Sequence, residues 1–252
     1  MILFTNSKES ILEHNLELIT IAGRGCFVFL PDNYHNEDKS YPVVYLHGDN
    51  STYTLLNDAD FLSDLSFILI GIISENRLDE LTPWPSPSLH PKFPSFGGKG
   101  DEYINFIETK LKPAVDLTYR TLTSPESTGI IGYSLGGLIS IYAAFHTNCF
   151  GCYASMSGSF WYPGFVPYAT SQSISNRDAR MYMSSGDSEG VGSKDIKEDA
   201  VTFTKNIYEF LVSDLTSTRV TISWDKGGHH NNTIERYKKG LLWLNQNLIT
   251  DR

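Results

Sequence analysis

The feature that most constrains this chain is the octapeptide Ile130-Ile131-Gly132-Tyr133-Ser134-Leu135-Gly136-Gly137. Residues 127 to 132 read as a short apolar strand, and Leu135 to Phe145, rich in Leu, Ile and Ala, reads as a helix. A G-x-S-x-G at such a junction calls for a tight strand-to-helix turn. The glycines leave room for it, the serine is held strained and exposed, and helix-start N–H groups lie beside its hydroxyl. The plainer reading is a glycine-rich turn in which Ser134 only caps the helix. A phosphate loop fits less well, because no Lys-Ser or Lys-Thr follows the glycines.

The rest of the chain extends the same architecture. Ile19 to Ile21 and Cys26 to Leu30 read as strands around a Gly-Arg-Gly turn. Tyr41 to Leu46 and Phe67 to Ile73 are continuous apolar runs, the pattern of strands buried on both faces of a parallel sheet. Cys152 to Met156, Arg180 to Ser184 and Arg219 to Trp224 read as further strands. Tyr103, Ile107, Leu111 and Val115 recur every four residues and predict a helix over 102–119, kinked or shortened by Pro113. Ile196 to Asp214 and Thr233 to Leu248 complete the helices. Strands alternating with helices predict an α/β fold with a mostly parallel central sheet, and the 252 residues suit a single domain over 1–252. The stretch 76–100, with Pro83, Pro85, Pro87, Pro91 and Pro94, cannot be regular helix or central strand and is expected to wall a binding site.

Charge and cysteine content narrow the function classes. Twenty Lys and Arg against 29 Asp and Glu leave a net charge of −9 with no basic run, which argues against nucleic-acid or anionic-membrane partners. The N-terminus, MILFTNSKESILEHNLELIT, lacks the pattern of an export signal, and no apolar stretch is long enough for a membrane span, so a cytoplasmic protein is expected. Cys26, Cys149 and Cys152 need no disulfide framework, and Cys149-x-x-Cys152 sits where buried packing, not redox chemistry, is expected.

A nucleophilic serine needs an imidazole to take its proton and a carboxylate to orient that imidazole. In this fold the three follow the order Ser, acid, His, each beyond the carboxyl end of a strand. After the strand ending at Ser184 comes Ser185-Gly186-Asp187-Ser188-Glu189, and after Trp224 comes Lys226-Gly227-Gly228-His229-His230. Spacing leaves two choices open. Glu189 is preferred to Asp187, which could cap its own turn, and His230 is preferred to His229. The oxyanion donors are expected to be the backbone N–H groups of Leu135 and Asp49, with His47 a buried brace for the loop carrying Asp49. No third ligand accompanies the histidine pair at a metal-binding spacing, so neither metal nor cofactor is expected.

With these residues in place, the chain resembles the esterase family of α/β-hydrolases that includes enterochelin esterases, feruloyl esterases, S-formylglutathione hydrolases and mycolyltransferases. The resemblance rests on Y-P-V-V-Y-L-H-G at 41–48, I-G-Y-S-L-G-G at 131–137, S-x-S-G-S-F-W-Y at 155–162 and the two C-terminal turns. Arg77 with L-T-P at 81–83, F-G-G-K-G-D-E-Y-I-N-F-I at 96–107, K-L-K-P at 110–113 and D-x-x-Y-R at 116–120 resemble the siderophore-esterase branch. The family's G-x-x-E falls on Glu189 and its G-G-x-H on His230. A Trp that relatives often carry five residues later is Glu235 here. The resemblance implies a cofactor-free serine hydrolase for a small-molecule ester, with thioesterase, acyltransferase and an inactive binding module as alternatives. A catecholate trilactone would favour a basic pocket, for which Arg77, Lys92 and Lys99 are candidates. Phe160 and Trp161 are candidates for lining an acyl or aromatic pocket.

Overall fold

The computed structural model describes residues 16–57 and 59–250. The segment read for an export signal lies largely outside them. Eight strands form one sheet: β1 (Leu16–Ile21), β2 (Arg24–Phe29), β3 (Val43–Gly48), β4 (Ile68–Ile73), β5 (Thr128–Tyr133), β6 (Cys152–Met156), β7 (Arg180–Gly186) and β8 (Val220–Asp225). Their order is β1-β2-β4-β3-β5-β6-β7-β8; β2 lies antiparallel to β1 and β4, and every pair from β4 through β8 is parallel. The fold is that of an α/β-hydrolase, as the sequence predicts. The first hairpin is tighter than the Gly-Arg-Gly reading: Ile21 pairs with Arg24, so Ala22-Gly23, both at positive φ, make the turn.

The helices are α1 (Asn50–Asn57), α2 (Arg77–Glu80), α3 (Gly100–Phe106), α4 (Lys112–Thr118), α5 (Leu135–His146), α6 (Phe165–Thr170), α7 (Ala200–Asp214) and α8 (Thr233–Asn247). They cover both faces of the sheet, which is why its central strands β3, β4, β5 and β6 are buried along almost their whole length. Ile68, Ile70, Tyr45 and Ile130 pack toward Tyr103, Ile107, Leu138 and Ile207, whereas Leu69, Val44 and Ile131 pack toward Leu56, Leu241 and Leu244.

Two local departures have simple causes. The helix predicted over 102–119 runs from 100 to 118, with a π-helical turn at Ile107–Leu111 before α4. Pro113 has no N–H for the carbonyl of Thr109, so the ladder shifts register there while the apolar stripe stays buried. The polar, β-branched helix α1 has a weak apolar pattern, and Asp49 starts it: Oδ1 accepts the Thr52 N–H at 3.0 Å. The Pro-rich stretch folds over α5 and α6, where Trp84 packs on Tyr142, Tyr162 and Tyr168 and donates Nε1–H to the Pro163 carbonyl at 3.0 Å. Among the described residues, no helix is long and apolar enough to cross a membrane.

Candidate active site

The carboxyl ends of β3, β5, β6, β7 and β8 bring the site together. Ser134 sits between β5 and α5 at φ 60° and ψ −118°, a conformation a non-glycine residue holds only when its surroundings enforce it. A Cβ on Gly132 would lie 2.4 Å from the Gly136 carbonyl carbon, and one on Gly137 would lie 2.7 Å from Ser155 Oγ. The turn can close only because both side chains are missing.

Ser134 Oγ–H donates to His229 Nε2 at 3.0 Å, and His229 Nδ1–H donates to Glu189 Oε2 at 2.9 Å. The expectation of His230 is therefore corrected. Gly227 at φ +103° and a loop closed by Asn231, whose Oδ1 accepts the Gly228 N–H at 2.8 Å, turn the ring of His229 toward Ser134. The His230 ring stands edge-on to that of His229, 4.9 Å away, on the rim of the same site. Asp187 stays out of the constellation: its Oδ1 accepts the Gly227 N–H at 2.9 Å and ties the turns after β7 and β8 together.

Glu189 is buried, which would raise its pKa. Its hydrogen bonds from His229 and from the Gly186 N–H at 2.8 Å, with further help from Ser157, outweigh burial and hold it down at about 2. An ionised carboxylate on Nδ1–H fixes the tautomer that leaves Nε2 free to accept a proton. His47 is buried and held neutral, its pKa pushed down to about 3 by burial, with Nδ1 2.9 Å from Tyr103 Oη. It braces the end of β3. Leu135, the first residue of α5, has no acceptor for its N–H one turn back. The Asp49 N–H reaches only a distant Thr52 Oγ1 at 3.4 Å.

Two cavities adjoin Ser134. One of about 210 Å³ is lined by Asp49, Arg77, Leu81, Tyr133, His229 and Tyr237 among others. The other, about 430 Å³, is walled by Trp161, Glu189, Lys197 and His230, with Lys197 Nζ 5.3 Å from the Trp161 ring centroid. Arg77 and Trp161 thus face the site, but Phe160 does not. Phe160 is fully buried and stacks on Phe165 at 5.7 Å, because adjacent residues here point to opposite sides. Of the excursion 76–100, Arg77 and Leu81 reach these cavities; Lys99 instead pairs with Asp79 at 3.1 Å. Cys152 is buried in β6, and burial pushes its thiol up to about 12, consistent with packing and not redox chemistry.

Two residues escaped the sequence reading. Ser159 Oγ lies 3.2 Å from Ser134 Oγ; since the Ser134 proton goes to His229, Ser159 is the donor of that contact. Its presence in S-G-S beyond a strand was the available signal. Arg236, on α8, is fully buried and bonds Glu189, and nothing in the local sequence marks it.

A hydroxyl, an imidazole and a carboxylate in line behind a strained turn make an acyl-transfer site. Residues 22–233 match the family model described as "Putative esterase". The chain belongs to this family. It is an esterase. Over 247 residues, 94% of this chain and 96% of the relative, it is 34% identical to "Uncharacterized protein YbbA" of Bacillus subtilis (strain 168). An IroE-like serine hydrolase from Shewanella oneidensis shares the fold with a TM-score of 0.76 at 18% identity, over 94% of this chain and 82% of its own. The siderophore hydrolase EstA from Aspergillus nidulans does so at 0.72 and 20% identity, over 92% and 95%.

Proposed function

We propose that Ser134, His229 and Glu189 carry the ester hydrolysis, and that the ester is an anionic, siderophore-like molecule. The observation behind the assignment is the unbroken hydrogen-bond line from Ser134 Oγ through His229 to Glu189 Oε2. His229 Nε2 takes the serine proton as Oγ attacks the ester carbonyl, and the tetrahedral oxyanion is held by the N–H groups of Leu135 and Asp49. Collapse of that intermediate expels the alcohol, which receives the proton from His229. Water, deprotonated by the same imidazole, then hydrolyses the acyl-enzyme.

The substrate reading rests on the cations flanking the nucleophile. Arg77 stands on one cavity and Lys197 on the other, in a chain whose net charge is −9. A basic group in each of the two cavities beside the nucleophile suits a molecule that carries negative charge, and Trp161 adds an aromatic face. The siderophore hydrolase among the structural relatives points to the same substrate class.

The test compares a catecholate trilactone and its iron complex with neutral p-nitrophenyl esters from acetate to octanoate, alongside labelling by a fluorophosphonate. Turnover and labelling are expected to vanish in Ser134→Ala and His229→Ala, with the trilactone the better substrate by kcat/KM. Equal kcat/KM for charged and neutral esters would refute the substrate reading. An unlabelled wild-type protein would refute the assignment of the triad.

A further inference from the structure

Arg236 presents a guanidinium with no exposure to solvent, in a place where an arginine is costly. Its Nη1 lies 3.0 Å from Glu189 Oε1, 2.5 Å from Ser157 Oγ and 3.3 Å from the His229 carbonyl; Nη2 lies 3.2 Å from the Gly228 carbonyl, and Nε 3.3 Å from Asp225 Oδ2. One side chain from α8 therefore touches the loops beyond β6, β7 and β8. Tyr133, one residue before Ser134, adds the end of β5: its Oη lies 3.2 Å from Nη1 and donates to the same His229 carbonyl.

Two features argue for more than cohesion. Buried ion pairs are weak contributors to stability, and apolar residues of similar volume often replace them without loss, so cohesion alone does not account for an arginine here. The division of labour on Glu189 is also specific: Oε1 faces Arg236, while Oε2 is left for His229. A planar fork can satisfy two carboxylates and two carbonyls at fixed angles, which an ammonium cannot.

We infer that Arg236 is a positioning residue that aims Glu189 and the His229 loop at Ser134, and that its charge sets how strongly Glu189 favours the protonated imidazole. The inference rests on the triad assigned above. The charged and titratable groups around it are Glu189 from the β7 loop, Asp225 at the end of β8, Lys239 of α8 paired with Asp225, and Tyr133 of β5. His230 stands beside His229, Asp187 bonds the Gly227 N–H, Tyr237 stacks on Tyr133, and Lys197 lines the same cavity as His229.

The signs follow from these neighbours. Arg236→Gln leaves Glu189 and Asp225 uncompensated, stabilises protonated His229, and moves the acid limb of the kcat/KM profile to higher pH, by about half a unit or more. Asp225→Asn removes a negative charge and moves the limb the other way. Arg236→Lys keeps the charge but loses the fork, so kcat falls by about ten-fold or more while the limb stays near that of wild type. In each variant KM changes less than kcat.

The experiment measures pH profiles of p-nitrophenyl ester hydrolysis for the wild-type protein and the three variants, with circular dichroism to establish folding. In parallel, the His229 ring titration is followed by NMR in the Ser134→Ala background, where no turnover is needed. Opposite movements for Arg236→Gln and Asp225→Asn support the inference. Immobile midpoints in folded variants, movement in the same direction, or an Arg236→Lys variant with kcat within two-fold of wild type would overturn it. Should Arg236→Gln not fold, Arg236→Lys and Asp225→Asn still decide. A wild-type protein that hydrolyses no ester, yet whose variants show the opposed NMR shifts, would sink the esterase assignment and leave the electrostatic role of Arg236 standing.

Discussion

Replacing one of two adjacent histidines separates His229, which faces Ser134 in the structure, from His230, which the sequence and its family resemblance favour. In His229→Ala, Ser134 Oγ–H loses the Nε2 acceptor at 3.0 Å, and its remaining side-chain neighbour is Ser159 Oγ at 3.2 Å, which donates to Ser134 in the intact site and as a neutral hydroxyl is too weakly basic to take the proton. His230 cannot swing in, because the loop carrying both residues is tied by the Gly228–Asn231 bond and by the two donors on the His229 carbonyl. Loss of the base in such a triad costs roughly 10⁴ to 10⁶ in kcat, or ~5–8 kcal/mol of transition-state stabilisation. What remains comes from the oxyanion donors and from binding. In His230→Ala only a ring packed edge-on against His229, with centroids 4.9 Å apart, and part of the rim are lost, so kcat should stay within about three-fold, ~0.7 kcal/mol. The assay is kcat and KM on p-nitrophenyl butyrate, with the rate of fluorophosphonate labelling as a substrate-independent check. A His230→Ala protein that is folded and dead, beside an active His229→Ala, would refute the reasoning.

Three further outcomes follow from the geometry. The depression of the Glu189 pKa from the ordinary 4.5 to about 2 corresponds to ~3 kcal/mol of stability, fully present above pH 4.5 and lost as pH falls through about 2; acid titration followed by circular dichroism should show the loss, and Glu189→Gln should be less stable at pH 7 with a weaker acid dependence. Gly132→Ala drives a methyl to within 2.4 Å of the Gly136 backbone and should lower Tm by about 5 °C or more while abolishing fluorophosphonate labelling, and a variant with wild-type Tm and labelling would contradict the tight-turn account. Arg77→Ala should raise KM about five-fold or more for an anionic ester and leave KM for neutral p-nitrophenyl esters unchanged, an effect that shrinks at high salt; an equal change on both substrates would remove Arg77 from charge recognition.

The sequence by itself determined what depends on neighbours along the chain. Apolar runs mark the central strands because burial on both faces demands them, and the stripe from Tyr103 to Val115 marks a helix even though Pro113 forces a π-helical turn within it. Ser134 was legible because its strained backbone needs glycines two residues away, and Glu189 because it follows a strand-ending glycine. The tertiary structure decided the rest. Whether His229 or His230 faces the serine depends on a loop closed by Asn231 and clamped from α8, and whether Phe160 or Trp161 faces the cavity depends on which side of the chain meets the core. Arg236 was invisible for the same reason. An arginine on an amphipathic helix reads as a solvated charge, and only the packing of α8 across the ends of β6, β7 and β8 buries it against the carboxylates it serves.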